Sequence, residues 1–259
     1  MLHRALSHND TDTRGAAALA LKHLCDATAG HLATFLEPLM QLYAMALNSA
    51  VEMKGTAVVG PGIATPVSSV GKGMDAEDVI QIIEGVSYVV SALPVDQADP
   101  VLSAMLRPIA TPLLQIFPEE PVAVPPEANV VIVHFDRLAA VMRYVSHPEL
   151  VASIFRELWP VVQRGLENCG NRDERATEHI CRCIKYAFRT ARWGDVRICQ
   201  RFVNALCEFL CVHEGSIPMI FVSFAPYVMS PAHGPCCTCR GFVHEYVFET
   251  PACESAICC

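Results

Sequence analysis

An all-α chain of stacked helix pairs is what the sequence predicts, on three observations. Apolar residues recur at i, i+3, i+4 and i+7 through most of the 259 residues, and few stretches alternate with period two. Proline, glycine and capping residues cut this pattern into segments of helical length. The segments group into pairs that restart at roughly forty residues once two insertions are set aside, the interval of HEAT and armadillo repeats. A lone helix pair cannot bury its apolar faces, whereas stacked pairs can, so the expected architecture is a HEAT-like helical-repeat solenoid, an α-α superhelix.

Taken in order, a helical remnant over 2–7 precedes helices near 15–28 and 31–50. The second carries the face Leu32, Phe35, Leu36, Leu39, Tyr43, Ala46 and Leu47. The stretch 55–73 is rich in Gly, Val, Thr, Ser and Pro with almost no charge, and reads as a mobile loop. Asp75 caps a helix over 76–92 whose stripe is Val79, Ile82, Ile83, Val86, Val89, Val90 and Leu93. Asp99-Pro100 is read as the start of the next, 99–117, and 118–126, with four prolines and two glutamates, as an extended connector. The β-like run Val130–Val133 merges into a helix over 128–145. His147-Pro148 opens 148–168, with Val151, Ile154, Phe155, Leu158 and Val162 on one side. Helices over 172–192, 195–213 and 216–229 follow, with Gly194-Asp195 as a boundary and Cys199, Phe202, Val203, Leu206 and Leu210 as a stripe. Pair starts fall near 15, 76, 130, 172 and 215, and kinks are expected at Pro108, Pro112 and Pro160. The division is therefore 1–230, helical repeats, and 231–259, an irregular Cys-rich tail.

Composition narrows the function classes. The chain is 52% hydrophobic with a mean hydropathy of +0.32, which suits helices buried on more than one side. The longest weakly charged run, Ser216 to Ala232, is too short to span a bilayer and holds Pro218, Pro226 and Pro231, so no membrane partner is expected. Met1 to Arg14 lacks the apolar core of a secretory signal, and a soluble intracellular protein is expected. A net charge of −8 argues against nucleic acid as a general partner.

Of 13 cysteines, Cys25, Cys169, Cys181, Cys183, Cys199, Cys207 and Cys211 lie in helical patterns, where a free thiol packs as a small apolar group. The other six crowd the last 24 residues. Cys236-x-x-Cys239 has the spacing of half a zinc site, but no second pair of comparable spacing accompanies it. His179, Cys181 and Cys183 are two apart on a helix and point to different sides, so they do not form a ligand set. Gly60-Pro61-Gly62 and Gly71-Lys72-Gly73 are not phosphate loops, and His213-Glu214 and His244-Glu245 lack a second histidine one turn on. No catalytic residue, metal or cofactor is expected, and the chain is read as a binding protein rather than an enzyme.

The informative segment is 171–192, NRDERATEHICRCIKYAFRTAR. Ala176, Ile180, Cys183, Ile184, Ala187, Phe188 and Ala191 form its apolar stripe. Arg175, Arg182 and Arg189 recur every seven residues, with Lys185, Arg192 and His179 in the same band and Asp173, Glu174 and Glu178 near the start. A charged outer face is ordinary, and acids first with bases last suits the helix dipole. A concentration of fixed positive charge in an acidic chain equally suits capture of phosphate or acidic motifs through charge-assisted, bidentate hydrogen bonds.

The blocks HFDRLAAVMRYV (134–145), ELWPVVQRGLE (157–167) and ERATEHICRCIKYAFRT (174–190), with LKHLCDATAGHL and VIQIIEGVSYVVSALP ahead of them, resemble the importin-β superfamily. The resemblance runs from about 15 to 225 in this numbering. It is nearest to the transportin-SR branch, the import receptors for serine/arginine-rich splicing factors, with the importin-thirteen branch its competitor. It implies a HEAT superhelix that carries cargo through the nuclear pore between cytoplasm and nucleus and releases it on binding Ran-GTP, with nucleoporins as further partners. It also implies that an arginine-rich helix contacts the Arg-Ser domain of the cargo. Carried over by position, that helix supplies Arg175, His179, Arg182, Lys185, Arg189 and Arg192, with Glu174 and Glu178 placed to meet cargo arginines. His179 and Lys185 stand where the family more often has arginine, which weakens bidentate phosphate contacts. The family's main Ran-binding surface lies in N-terminal repeats that this chain lacks, so a segment of a longer receptor is expected. The alternative is a HEAT-repeat scaffold joining proteins outside transport.

Overall fold

The computed structural model describes residues 2–51, 74–120, 126–170 and 172–191. Among these residues the regular structure is entirely helical: α1 (Leu2–Leu6), α2 (Thr11–Leu32), α3 (Leu36–Val51), α4 (Ala76–Ser91), α5 (Val95–Ile116), α6 (Ala128–Tyr144), α7 (Pro148–Cys169) and α8 (Glu174–Ala191). A short 3-10 turn, Ala33–Phe35, joins α2 to α3. The loop expected at 55–73, the helices expected beyond 192 and the Cys-rich tail lie outside the described residues.

Local chemistry sets the helix starts. The Asp10 carboxylate accepts the Thr13 backbone N–H at 2.8 Å and caps α2, and Pro148 opens α7 where its missing N–H costs nothing. Asp173 caps α8 by accepting the Ala176 N–H at 2.8 Å. The Asp99-Pro100 boundary is corrected: α5 begins earlier, at Val95 behind Pro94, and runs through Pro100, Pro108 and Pro112 without a break. Likewise α7 runs through Pro160. Among the described residues Thr28 in α2 has non-helical angles inside a helix (φ −132°, ψ 26°), and its hydroxyl donates to the Leu24 carbonyl at 2.6 Å. A side chain bonding back into its own turn bends a helix without any proline.

The helices stack in two layers. In the first, α2, α4, α6 and α8 lie side by side and parallel. Gly15 faces Asp78 and Gly85 faces Lys22, the ends of α4 and α6 meet at Ser91 and Tyr144, and Asp136 and Met142 of α6 meet His179 and Thr190 of α8. Gly85 permits the closest approach, because a Cβ there would lie 3.2 Å from the Cα of Lys22. Helices α3, α5 and α7 form the second layer and pack against the first. Here the order is antiparallel: Phe155 meets Phe188 at 5.8 Å while Gly165 faces Ile180.

Pair partners differ from the expected ones by one helix. Helix α3 packs with α4, α5 with α6 and α7 with α8, whereas the short connections join α4 to α5 and α6 to α7. The shortness of a linker misleads because partners are chosen by matching apolar faces, not by loop length. This two-layer stacking is the arrangement of a helical-repeat solenoid.

One continuous core runs between the layers. The α4 stripe Val79, Ile82, Ile83, Val86, Val89 and Val90 is fully buried, as are Phe135 and Leu138 of α6 and Ile180, Cys183 and Ile184 of α8. Leu39, Tyr43, Ala46 and Leu47 are buried as their spacing predicts, but Phe35 is 58% exposed because the 3-10 turn takes it off the α3 face. Polar ties cross the stack. The Tyr43 hydroxyl donates to the Met105 carbonyl at 2.5 Å, and burial holds its pKa above the ordinary tyrosine value. Arg164 of α7 donates from Nε to the Phe117 carbonyl at the end of α5, at 2.8 Å.

Candidate functional site

Helix α8 carries the basic ridge, and the structure divides it. The stripe Ala176, Ile180, Cys183, Ile184, Ala187 and Phe188 is buried against α6 and α7. Glu174, Arg175, Glu178 and Arg189 are exposed, while His179, Arg182 and Lys185 are half-buried. Arg192 lies outside the described residues.

Two side chains of the ridge are held within the protein. His179 places Nδ1 2.5 Å from Oδ1 of Asp136 on α6, and Arg182 places a terminal nitrogen 3.7 Å from the same oxygen. The other terminal nitrogen of Arg182 donates to Glu178 Oε1 at 2.8 Å, one helical turn back. Among the described residues no carboxylate lies within ion-pair distance of Arg175, Lys185 or Arg189. The ridge thus has a neutralised middle and uncompensated charge toward both ends. Glu178 faces Arg182, so meeting an outside arginine would mean giving up that bond.

Cys181 and Cys183 are buried in the core. Burial pushes the Cys181 thiol up to about 12 and raises Cys183 as well, which disfavours the thiolate that a metal or an electrophile requires. Among the described residues no group of three histidine, cysteine or acidic side chains converges.

A second set of residues escapes sequence reasoning. Arg143, exposed in the last turn of α6, sits over two rings, 5.0 Å from the centroid of Tyr144 and 5.2 Å from that of Tyr186 on α8. Tyr144 meets Tyr88 of α4 edge-on at 5.1 Å, and Lys22 of α2 lies 5.6 Å from the Tyr144 ring. Lys22 in turn pairs with Glu84 at 2.5 Å. An aromatic and charged strip therefore crosses α2, α4, α6 and α8. One signal for it exists in the sequence: Asp136 and Arg143 are seven apart on α6, as are their partners His179 and Tyr186 on α8. Two parallel helices in register bring such pairs together, but the register itself is not legible in one sequence.

With this geometry in view, comparison with known proteins places the chain near the nuclear transport receptors of the transportin, or karyopherin, class. One relative is Transportin MOS14 of Arabidopsis thaliana, 34% identical over 180 residues. The match takes in 70% of this chain but 16% of that protein, so the chain spans about a sixth of the relative's length. No protein-family model matches the chain. Among the described residues no helix is long and apolar enough to cross a membrane.

Proposed function

We propose that this chain is a segment of a nuclear transport receptor of the transportin-SR type, binding Arg-Ser-rich protein cargo for import through the nuclear pore. The observation that carries the proposal is the face of α8. Arg175, Lys185 and Arg189 stand outward without carboxylate partners among the described residues, in a chain of net charge −8. Similarity to a transportin supports the same reading. Phosphoserines of the cargo would take the uncompensated cations, while Glu174, exposed in the first turn, would meet cargo arginines. Ran-GTP and nucleoporins would be the further partners of such a receptor, working between cytoplasm and nucleus.

The test is binding of a fluorescent, phosphorylated Arg-Ser peptide to the 259-residue chain at increasing salt. Affinity should fall steeply with ionic strength. Arg175→Ala with Arg189→Ala should weaken binding about tenfold, the scale of two exposed ion pairs. Affinity unchanged by that double substitution removes the site assignment. A pull-down from cells that recovers neither splicing factors nor Ran favours a HEAT scaffold outside transport.

A further inference from the structure

Arg143 is the cation on this surface best prepared to bind an anion. A guanidinium stacked on an aromatic ring uses its flat face and leaves its N–H edge free for bidentate hydrogen bonds. Arg143 has such a ring on each of two helices, Tyr144 at 5.0 Å and Tyr186 at 5.2 Å. The Tyr144 ring is itself fixed by Tyr88, edge-on at 5.1 Å. A side chain already ordered loses less freedom on binding, so more of the interaction appears as affinity. Among the described residues no carboxylate lies within ion-pair distance of Arg143. Lys185 and Arg189 precede and follow Tyr186 on the neighbouring helix, one and three residues away. The positive charge of α8 therefore adjoins this stacked arginine.

We infer that Arg143 of α6 binds a phosphoryl group of an extended, phosphorylated Arg-Ser peptide, held flat by Tyr144 and Tyr186 and assisted by Lys185 and Arg189. The inference rests on the cargo reading above and extends the binding surface from one helix to the strip across the stack. Charge along that strip supports this occupant. Its α6–α8 end carries Arg143, Lys185 and Arg189; at its α2–α4 end Lys22 and Glu84 neutralise each other, which leaves Asp26, whose charge acts on the Tyr88 ring. A peptide must offer both signs to follow it.

The experiment uses the full chain and two labelled peptides of alternating arginine and serine, one phosphorylated on every serine and one unmodified, read by fluorescence anisotropy. The expected result is that Arg143→Ala and Arg143→Lys each weaken the phosphorylated peptide about tenfold, since lysine restores the charge but neither the stack nor the two-pronged contact. Tyr186→Leu should weaken it severalfold, and the unmodified peptide should move less than twofold with Arg143→Ala. Arg143 is exposed, and an unchanged circular dichroism spectrum and melting temperature will show that its variants fold. If Arg143→Ala binds the phosphorylated peptide as wild type does while Arg175→Ala with Arg189→Ala does not, the inference falls and the cargo reading stands. If Arg143→Lys binds as wild type, the stacked, bidentate contact is overturned. If the unsubstituted chain binds neither peptide, both readings fall together.

Discussion

Replacing Gly85 with alanine, beside Gly30→Ala as a control, tests the packing that sets the spacing of the parallel layer. Both glycines lie within helices, where alanine gains up to about 1 kcal/mol in intrinsic propensity. At Gly30 nothing lies within 4 Å of the added methyl group, so the gain stands alone at roughly 0.5–1 kcal/mol. At Gly85 the methyl would lie 3.2 Å from the Cα of Lys22 and 3.5 Å from Sγ of Cys25. The nearer obstacle is backbone, so no change of rotamer relieves it and α2 must move by a few tenths of an ångström. Overpacking of this kind costs about 1–3 kcal/mol, more than propensity returns. Gly85→Ala is therefore expected about 1 kcal/mol below wild type, and about 2 kcal/mol below Gly30→Ala. Thermal unfolding followed by far-ultraviolet circular dichroism should separate the two variants by roughly 4–8 °C for a chain of this size. If Gly85→Ala melts as high as Gly30→Ala, the α2–α4 backbones are not packed as closely as described and the argument is refuted.

Two other perturbations have defined outcomes. Asp136→Asn removes the carboxylate beside His179 and Arg182, so that Arg182 keeps its bond to Glu178 alone; phosphorylated Arg-Ser peptide should bind up to about fivefold tighter, and weaker binding in the same anisotropy titration would contradict the account of a neutralised middle. Burial lifts the thiols of Cys25 and Cys169 to about 11 and Cys181 to about 12, against an ordinary 9.0, so at neutral to mildly alkaline pH they hold about a hundredfold to a thousandfold less thiolate. Alkylation of the native protein at pH near 8, mapped by peptide mass spectrometry, should leave these three unmodified until denaturant is added. Rapid native labelling of Cys181 would show that α8 is not seated as described.

The sequence made the helices legible because a stripe repeating every three to four residues needs no knowledge of its neighbour. It failed where the outcome depends on a partner. Asp99-Pro100 is a local signal for a helix start, yet Pro94 already provides an entry and the helix accommodates Pro100. Pair partners were misread because α4 and α5 are close in sequence while their apolar faces find α3 and α6. The α8 ridge was visible as a pattern of charge. That His179 and Arg182 are compensated was not, since Asp136 lies 43 residues from His179. Arg143 is a basic residue in the last turn of its own helix, and only the parallel register of α6 and α8 brings Tyr186 against it.

The ties between α4 and α6 gather at one end. Ser91 accepts the Ser146 N–H at 2.8 Å and lies 2.8 Å from the Tyr144 carbonyl, and the His147 ring reaches the Val90 carbonyl at 3.1 Å. Hydrogen bonds are directional where apolar contacts are not, so these ties fix the register of the two C-terminal ends and with it the spacing of Tyr88, Tyr144 and Arg143.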